Sequence, residues 1–311
     1  MLLSEVWRQW WIGNQIGLRE VTVIKKEAMY YNHICPFFGN IQIREIDDIM
    51  INKYIKHEMT SGNRLTGEPL NNNSINKNLG MLKAILEYAK LKGYIDFNPM
   101  VLVKRLKSVP AREFKIYTPE DVDSLISVAR PKWMGDLILL AYHTGMRRGE
   151  CFGLQWEDID FNEKLLHVKR SVSATKPGEK FINDPKTRKG NRTIYLDDET
   201  MEMFQNRYNT RTSDLWVFAS KYGELLSPWY TTKYFNESER KAKINPHKRF
   251  HDLRHTHITE VIEEGISIPV IQERVGHSDI RMTMRYTHIA PEAQKCIVKM
   301  QNDKKIGRKE N

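Results

Sequence analysis

The chain has 311 residues, 40% of them hydrophobic and 28% charged, with a formal net charge of +10. That composition fits a water-soluble protein of about two domains, and no run approaches the roughly 18–20 uninterrupted apolar residues of a membrane span. The opening MLLSEVWRQWW has early charges and no small-residue cleavage site, so no secretory leader is expected; Cys35, Cys151 and Cys296 lie far apart, which excludes a disulfide scaffold or cysteine zinc cluster and suits a reducing cytoplasm.

The N-terminal third reads as helices. Leu3, Val6, Trp7, Trp10 and Trp11 recur near i, i+3, i+4 and i+7, which predicts a first helix whose tryptophans pack inward rather than stack on bases. A second helix is predicted from about Val21 to Ile34, stopping before Pro36, and a third over roughly Ile43 to Met59. The Gly-, Asn- and Pro-rich TSGNRLTGEPLNNN reads as a loop, followed by a fourth helix over about Ser74 to Leu91 with Gly93 as its stop. The segment from Asn98 to Pro119 carries three prolines and five basic residues without a helical period, so the domain boundary is placed between about Lys104 and Tyr117. This gives a helical domain over 1–107, a basic linker over 108–117 and a second domain over 118–311.

Thr118-Pro119-Glu120-Asp121 predicts a new helix, with a capping hydroxyl, proline at the first position and an acid at the third. A helix near Met134–His143 ends at Gly145, and a short one carries Arg147–Leu154. Strands are predicted at Leu165–Val168, Lys180–Ile182 and Arg192–Leu196. Helical pattern follows to the C-terminus, with a break at Gly265–Pro269. The fold class is therefore mainly α with a small antiparallel β-sheet.

Charge points to a polyanion. Residues 1–107 hold 15 basic and 10 acidic side chains and the rest hold 34 and 29, so both halves are basic and nucleic acid is a natural partner. Five short pieces then stand out: Thr144-Gly145-Met146-Arg147-Arg148-Gly149-Glu150, Pro185-Lys186-Thr187-Arg188, His251-Asp252-Leu253-Arg254-His255-Thr256, Gly276-His277-Ser278 and Tyr286-Thr287-His288. In that order, with nine positions from His277 to Tyr286, they resemble the tyrosine recombinase (phage integrase) family, by motif over about 118–290 and by layout over the helical domain before it.

The chemistry explains the residue types. Attack on a phosphodiester pushes charge onto its non-bridging oxygens, and guanidinium groups stay protonated and bind phosphate bidentately. The resemblance assigns that role to Arg147 and Arg254, with Glu150 holding Arg147. It makes Tyr286 the nucleophile, a phenol that needs a cationic pocket or a base to shed its proton. His251 is matched to proton transfer, His277 to a bond with the scissile phosphate, and Lys186, in a hairpin, to protonation of the leaving oxygen. Lys176, Lys180 and Lys189 lie nearby as rivals to Lys186. His255 reads as structural. Clustered His251, His255 and His257 raise a metal site, but no HExxH pattern and no paired carboxylates accompany them.

The resemblance implies a site-specific DNA recombinase that needs no ATP, metal or other cofactor. Its partner would be double-stranded DNA, gripped by two domains. A homotetramer would form in the synapse from protomers that are monomers in solution, in the cytoplasm. The apolar positions Ile289, Ala293, Ile297, Val298 and Met300 suggest a C-terminal helix that packs within its own chain or is passed to a neighbour. The helical pattern begins at about Leu3, so no arm-binding domain is expected ahead of it. A mobile-element integrase is favoured; chromosome-dimer resolvase, invertase and type IB topoisomerase are the alternatives.

Overall fold

The computed structural model describes residues 1–64, 66–109, 114–184 and 190–286. The chain divides into two compact units, Met1–Arg112 and Glu113–Asn311.

The first unit is helical. Helix α1 (Leu3–Asn14) buries Leu3, Val6, Trp7, Trp10 and Trp11. Helix α2 (Glu20–Met29) does not stop before Pro36. It passes through one π turn, Tyr30–Ile34, into α3 (Cys35–Phe38), with Pro36 as the second residue of α3. The turn places Tyr30 flat on Trp7, ring centroids 3.9 Å apart. The predicted third helix begins later than its apolar pattern: Ile43–Glu45 form a 3-10 turn, and α4 (Asp48–Ser61) starts where the Asp47 carboxylate accepts the Met50 N–H at 2.7 Å. Helix α5 (Asn72–Leu91) is capped by Asn71 and buries Ile75, Leu79, Leu82, Ile85, Leu86 and Ala89 against the tryptophan layer.

The second unit is α+β. Helix α6 (Pro119–Val128) opens with the predicted reciprocal cap between Thr118 and Asp121. Helix α7 (Lys132–Thr144) is its central rod, with Met134, Leu137, Ile138, Leu140 and Ala141 all buried. Helix α8 (Arg148–Phe152) precedes five short strands: β1 (Ile159–Asp160), β2 (Leu165–Val168), β3 (Ser171–Ser173), β4 (Phe181–Asn183) and β5 (Arg192–Tyr195). They form two antiparallel sheets, β1-β2-β5 and β3-β4. Strand β4 pairs with β3 and β5 with β2, so β4 and β5 belong to different sheets and are not hairpin partners. Helices α9 (Asp198–Asn209), α10 (Thr231–Lys241), α11 (Asp252–Glu263), α12 (Ile268–Val275) and α13 (Ile280–Met284) complete the unit. Among the described residues no helix is long and apolar enough to cross a membrane.

Candidate active site

Backbone geometry sets the site. Helix α7 ends at Gly145, whose φ of +62° reverses the chain, and a Cβ there would lie 2.6 Å from the His257 ring. The next turn places Arg147 at the entrance to α8. Gly149 lets α8 lie directly on β3, since a Cβ there would meet the Val172 carbonyl at 2.5 Å. Glu150 therefore faces inward, only 6% exposed. Its carboxylate accepts the Arg147 N–H at 2.9 Å, Arg147 Nη1 at 2.8 Å and Arg192 Nη2 at 2.8 Å. Burial alone would raise the pKa of this acid, but the Arg192 and Arg147 charges overcome it and hold it at about 2.

Three arginines from three elements converge on the end of α12. Arg192 Nε donates to the Arg274 carbonyl at 2.7 Å, Arg254 Nη2 to that of Val275 at 2.7 Å, and Arg147 Nη2 to that of Gly276 at 3.0 Å. A helix C-terminus leaves such carbonyls unpaired and is the negative end of its dipole, so it can organise cations without neutralising them. Arg254, 2% exposed, also donates Nη1 to the Gly145 carbonyl at 2.5 Å. Its hydrogen bonds thus go to carbonyls. Burial and the neighbouring Arg147 lower its pKa to about 9, which leaves it a cation at neutral pH.

The histidines complete the cluster. His277, 3% exposed, pairs Nδ1 with the Thr283 hydroxyl at 2.8 Å. With Thr283 as donor, Nε2 keeps the ring proton and can donate it to an anion. Burial, then Arg254 and Arg147, push the His277 pKa down to about 3. His251 is exposed at the start of α11, and its proton affinity is lowered by partial desolvation and then by Arg254. Tyr286 follows α13 and is 3% exposed. Its ring stacks on Phe114 with centroids 4.4 Å apart, and its hydroxyl meets His255 Nδ1 at 2.5 Å. Burial pushes its pKa up to about 12 against the opposing pull of Arg254.

Arg147, Glu150, Arg254, His277 and Tyr286 thus occupy one electrostatically coupled cluster. Arg254 feels the charges of both Arg147 and Tyr286 and links them. Lys186 lies outside the described residues, as do Thr287, His288 and the apolar positions Ile289, Ala293, Ile297, Val298 and Met300. Two rivals to Lys186 are engaged elsewhere, Lys176 with Glu179 at 3.1 Å and Lys180 with Glu224 at 3.3 Å. Two members escaped the reading of the sequence. His255 touches Tyr286 instead of serving only as scaffold, and Arg192 shares Glu150 with Arg147. Arg192 had one signal, its inward position beside Ile194 in an alternating strand. Among the described residues no group of three or more His, Cys, Asp or Glu is placed to hold a metal ion.

The Glu150 network should matter for stability as much as for the site. Glu150→Ala would leave a buried Arg192 guanidinium without its counter-charge, and we expect a loss of about 3–5 kcal/mol in unfolding free energy by denaturant titration at pH 7. Adding Arg192→Met should recover part of it. A carboxyl whose pKa is depressed on folding stabilises above its unfolded pKa, so this contribution should fade between pH 4.5 and about pH 2.

Comparison with known proteins adds an independent line. A model of the "Phage integrase family" matches residues 115–293, and one of the "Phage integrase, N-terminal SAM-like domain" matches residues 2–59. The chain is 26% identical to a "Tyrosine recombinase XerC-like" of Caldanaerobacter subterraneus subsp. tengcongensis, covering 93% of this chain and 79% of the relative. It is 28% identical to "ICEBs1 integrase" of Bacillus subtilis, covering 85% and 72%. The Tn1549 transposon integrase, solved in complex with a circular intermediate DNA, has a similar fold: TM-score 0.77 at 20% identity, covering 92% of this chain and 94% of that one.

Proposed function

The chain belongs to the phage integrase family, and from that premise we propose how its residues divide the work of a tyrosine recombinase of the mobile-element type. Tyr286 attacks the scissile phosphorus. As its oxygen bonds to phosphorus, the bond to the 5′ oxygen breaks, leaving a 3′-phosphotyrosyl link and a 5′ hydroxyl. The 5′ hydroxyl of a partner duplex then attacks that link, restores a phosphodiester and releases Tyr286. One phosphoester is exchanged for another at each step, so the bond energy is retained and no ATP is consumed.

Arg147 and Arg254 clamp the non-bridging oxygens and stabilise the charge that grows on them. His277 donates Nε2–H to the same phosphate, and His251 assists proton transfer from its exposed place at the head of α11. Lys186 protonates the departing 5′ oxygen. The observation that carries this reading is the convergence of three arginines on the end of α12 beside a buried phenol, with Glu150 bonded to only two of them, Arg147 and Arg192. Such a site retains positive charge and calls for an anion.

The substrate is double-stranded DNA, held by both basic units, and we assign the protein to the cytoplasm. Exchange of both strands between two duplexes breaks four phosphodiesters, and each chain supplies one Tyr286. Four protomers, monomeric before they meet DNA, therefore form the synapse.

The test is a nicked suicide duplex built from attachment-like repeats flanking the coding region. A detergent-stable protein–DNA adduct should accumulate in chelator. Cleavage that leaves no adduct and requires a divalent cation would point to a metal nuclease, and relaxation of supercoils without sequence preference to a topoisomerase. The acid role has its own check. Lys186→Ala should slow cleavage of ordinary DNA by about 10²–10⁴. A bridging 5′-sulfur substrate, whose leaving group needs no proton, should recover most of it. Full activity of the variant on ordinary DNA removes Lys186 from the role.

A further inference from the structure

We propose that His255, one helical turn beyond His251, is the group that takes the proton of Tyr286 during strand cleavage. The inference rests on the reading of Tyr286 as nucleophile and adds a catalytic residue to it. Three observations carry it. The Tyr286 hydroxyl lies 2.5 Å from His255 Nδ1, and that contact joins residues 31 positions apart in sequence. The imidazole is held rather than loose: its side chain is 12% exposed, with Phe114 against one side at 4.2 Å between centroids and His251 edge-on at 4.9 Å. Its far nitrogen, Nε2, faces the buried Asp252 carboxylate at 3.9 Å. Asp252 is fixed in turn by the Arg249 N–H at 2.8 Å and Arg249 Nη2 at 3.2 Å.

The pair is assigned with the phenol as donor, since burial keeps Tyr286 protonated. A phenol that donates to Nδ1 requires that nitrogen bare, so Nε2 carries the ring proton and points it toward Asp252. The hydroxyl is hydrogen-bonded to the imidazole, while the Asp252 carboxylate, at 3.9 Å, is beyond direct hydrogen-bond reach of Nε2 and acts on the ring through its charge. His251 touches His255 and not the phenol oxygen.

The protons balance. As Tyr286 Oη bonds to phosphorus and the 5′ oxygen departs, the phenolic proton moves to His255 Nδ1, forming an imidazolium beside Asp252. The 5′ oxygen receives its proton from Lys186. In rejoining, the incoming 5′ hydroxyl returns a proton to the lysine and the imidazolium returns one to Tyr286. Burial holds the phenol up at about 12, and burial with His251 holds the imidazole down at about 4. The proton therefore stays on oxygen until the O–P bond begins to form. The charged and titratable neighbours of His255 are Asp252 and Arg254 on its own helix, Arg249 and His251 just before it, and Tyr286 and His277 opposite.

The experiment measures single-turnover adduct formation by the full chain on the suicide duplex, with tyrosine or a ring-fluorinated tyrosine of lower pKa at position 286. His255→Gln keeps a hydrogen-bond acceptor but cannot hold the proton; His255→Asn substitutes if the glutamine variant fails to fold. We expect His255→Gln to slow adduct formation by about 100-fold or more. Fluorination should recover most of that loss while changing the wild-type rate little. A variant within a few-fold of wild type, or one equally slow with both phenols, overturns the proposal. Tyr286→Phe run alongside separates the two readings: if it still forms the adduct, the nucleophile assignment fails, whereas its silence beside an unimpaired His255→Gln rejects only the base.

Discussion

Tyr286→Phe should bind its DNA site as tightly as wild type and form no covalent adduct at all. The substitution removes one oxygen and little else. The phenyl ring keeps its stack on Phe114 and its place among Ile258, Ile262, Ile271 and Val275. The lost hydrogen bond leaves the mostly buried Nδ1 of His255 without its partner, so a stability cost of about 1–3 kcal/mol is expected. Arg147, Arg254 and His277 make no hydrogen bond to the phenol oxygen; their described partners are Glu150, Thr283 and main-chain carbonyls. The clamp on phosphate therefore survives, and only the attacking atom is gone. Denaturing gels of the suicide-substrate reaction, beside a mobility-shift titration, would show the split. Residual adduct at even a small fraction of wild type would mean that another side chain attacks phosphorus.

The parts of this site that were legible in the sequence are those set by local rules. Thr118 and Asp121 announced α6 because a cap needs only four residues. Gly145 marked the end of α7 because the reversal requires φ above zero. The spacing of Gly276-His277 to Tyr286 reflects one short helix, α13, that carries the chain from one group to the other. What stayed hidden depends on contacts made at long range. His255 and Arg254 sit on one helix with His251 just before it, and nothing within that segment tells which histidine meets a phenol 31 positions away. Arg192 reaches Glu150 across 42 residues. Strands β1 and β3 have two and three residues, too few to show alternation. The π turn at Tyr30–Ile34, which brings Tyr30 onto Trp7, carries the helix past the stop expected before Pro36 and has no signal in the local sequence.

Arg254→Lys should cost cleavage about 10³-fold or more, a larger loss than its conservation of charge suggests. A single preorganised donor to a developing oxyanion contributes about 10²–10³ in rate, and Arg254 also builds the site it serves. Its two terminal nitrogens tie the Gly145 carbonyl, which precedes Arg147 by two residues, to the Val275 carbonyl, which precedes His277 by two. A lysine ammonium is a point charge on a flexible stem and cannot span both carbonyls with the planar fork. One carbonyl would be left buried and unpaired, at about 1–3 kcal/mol, so the melting temperature should fall as well. Arg147→Lys supplies the contrast. Its side chain is 37% exposed and is held by Glu150 and a single carbonyl, so it should lose cleavage without a comparable loss of stability. Measured together, the two variants separate the charge offered to phosphate from the scaffold that aims it. If Arg254→Lys kept both its melting temperature and its cleavage rate, the convergence of arginines on the end of α12 would have no part in catalysis, and the anion would have to be held elsewhere.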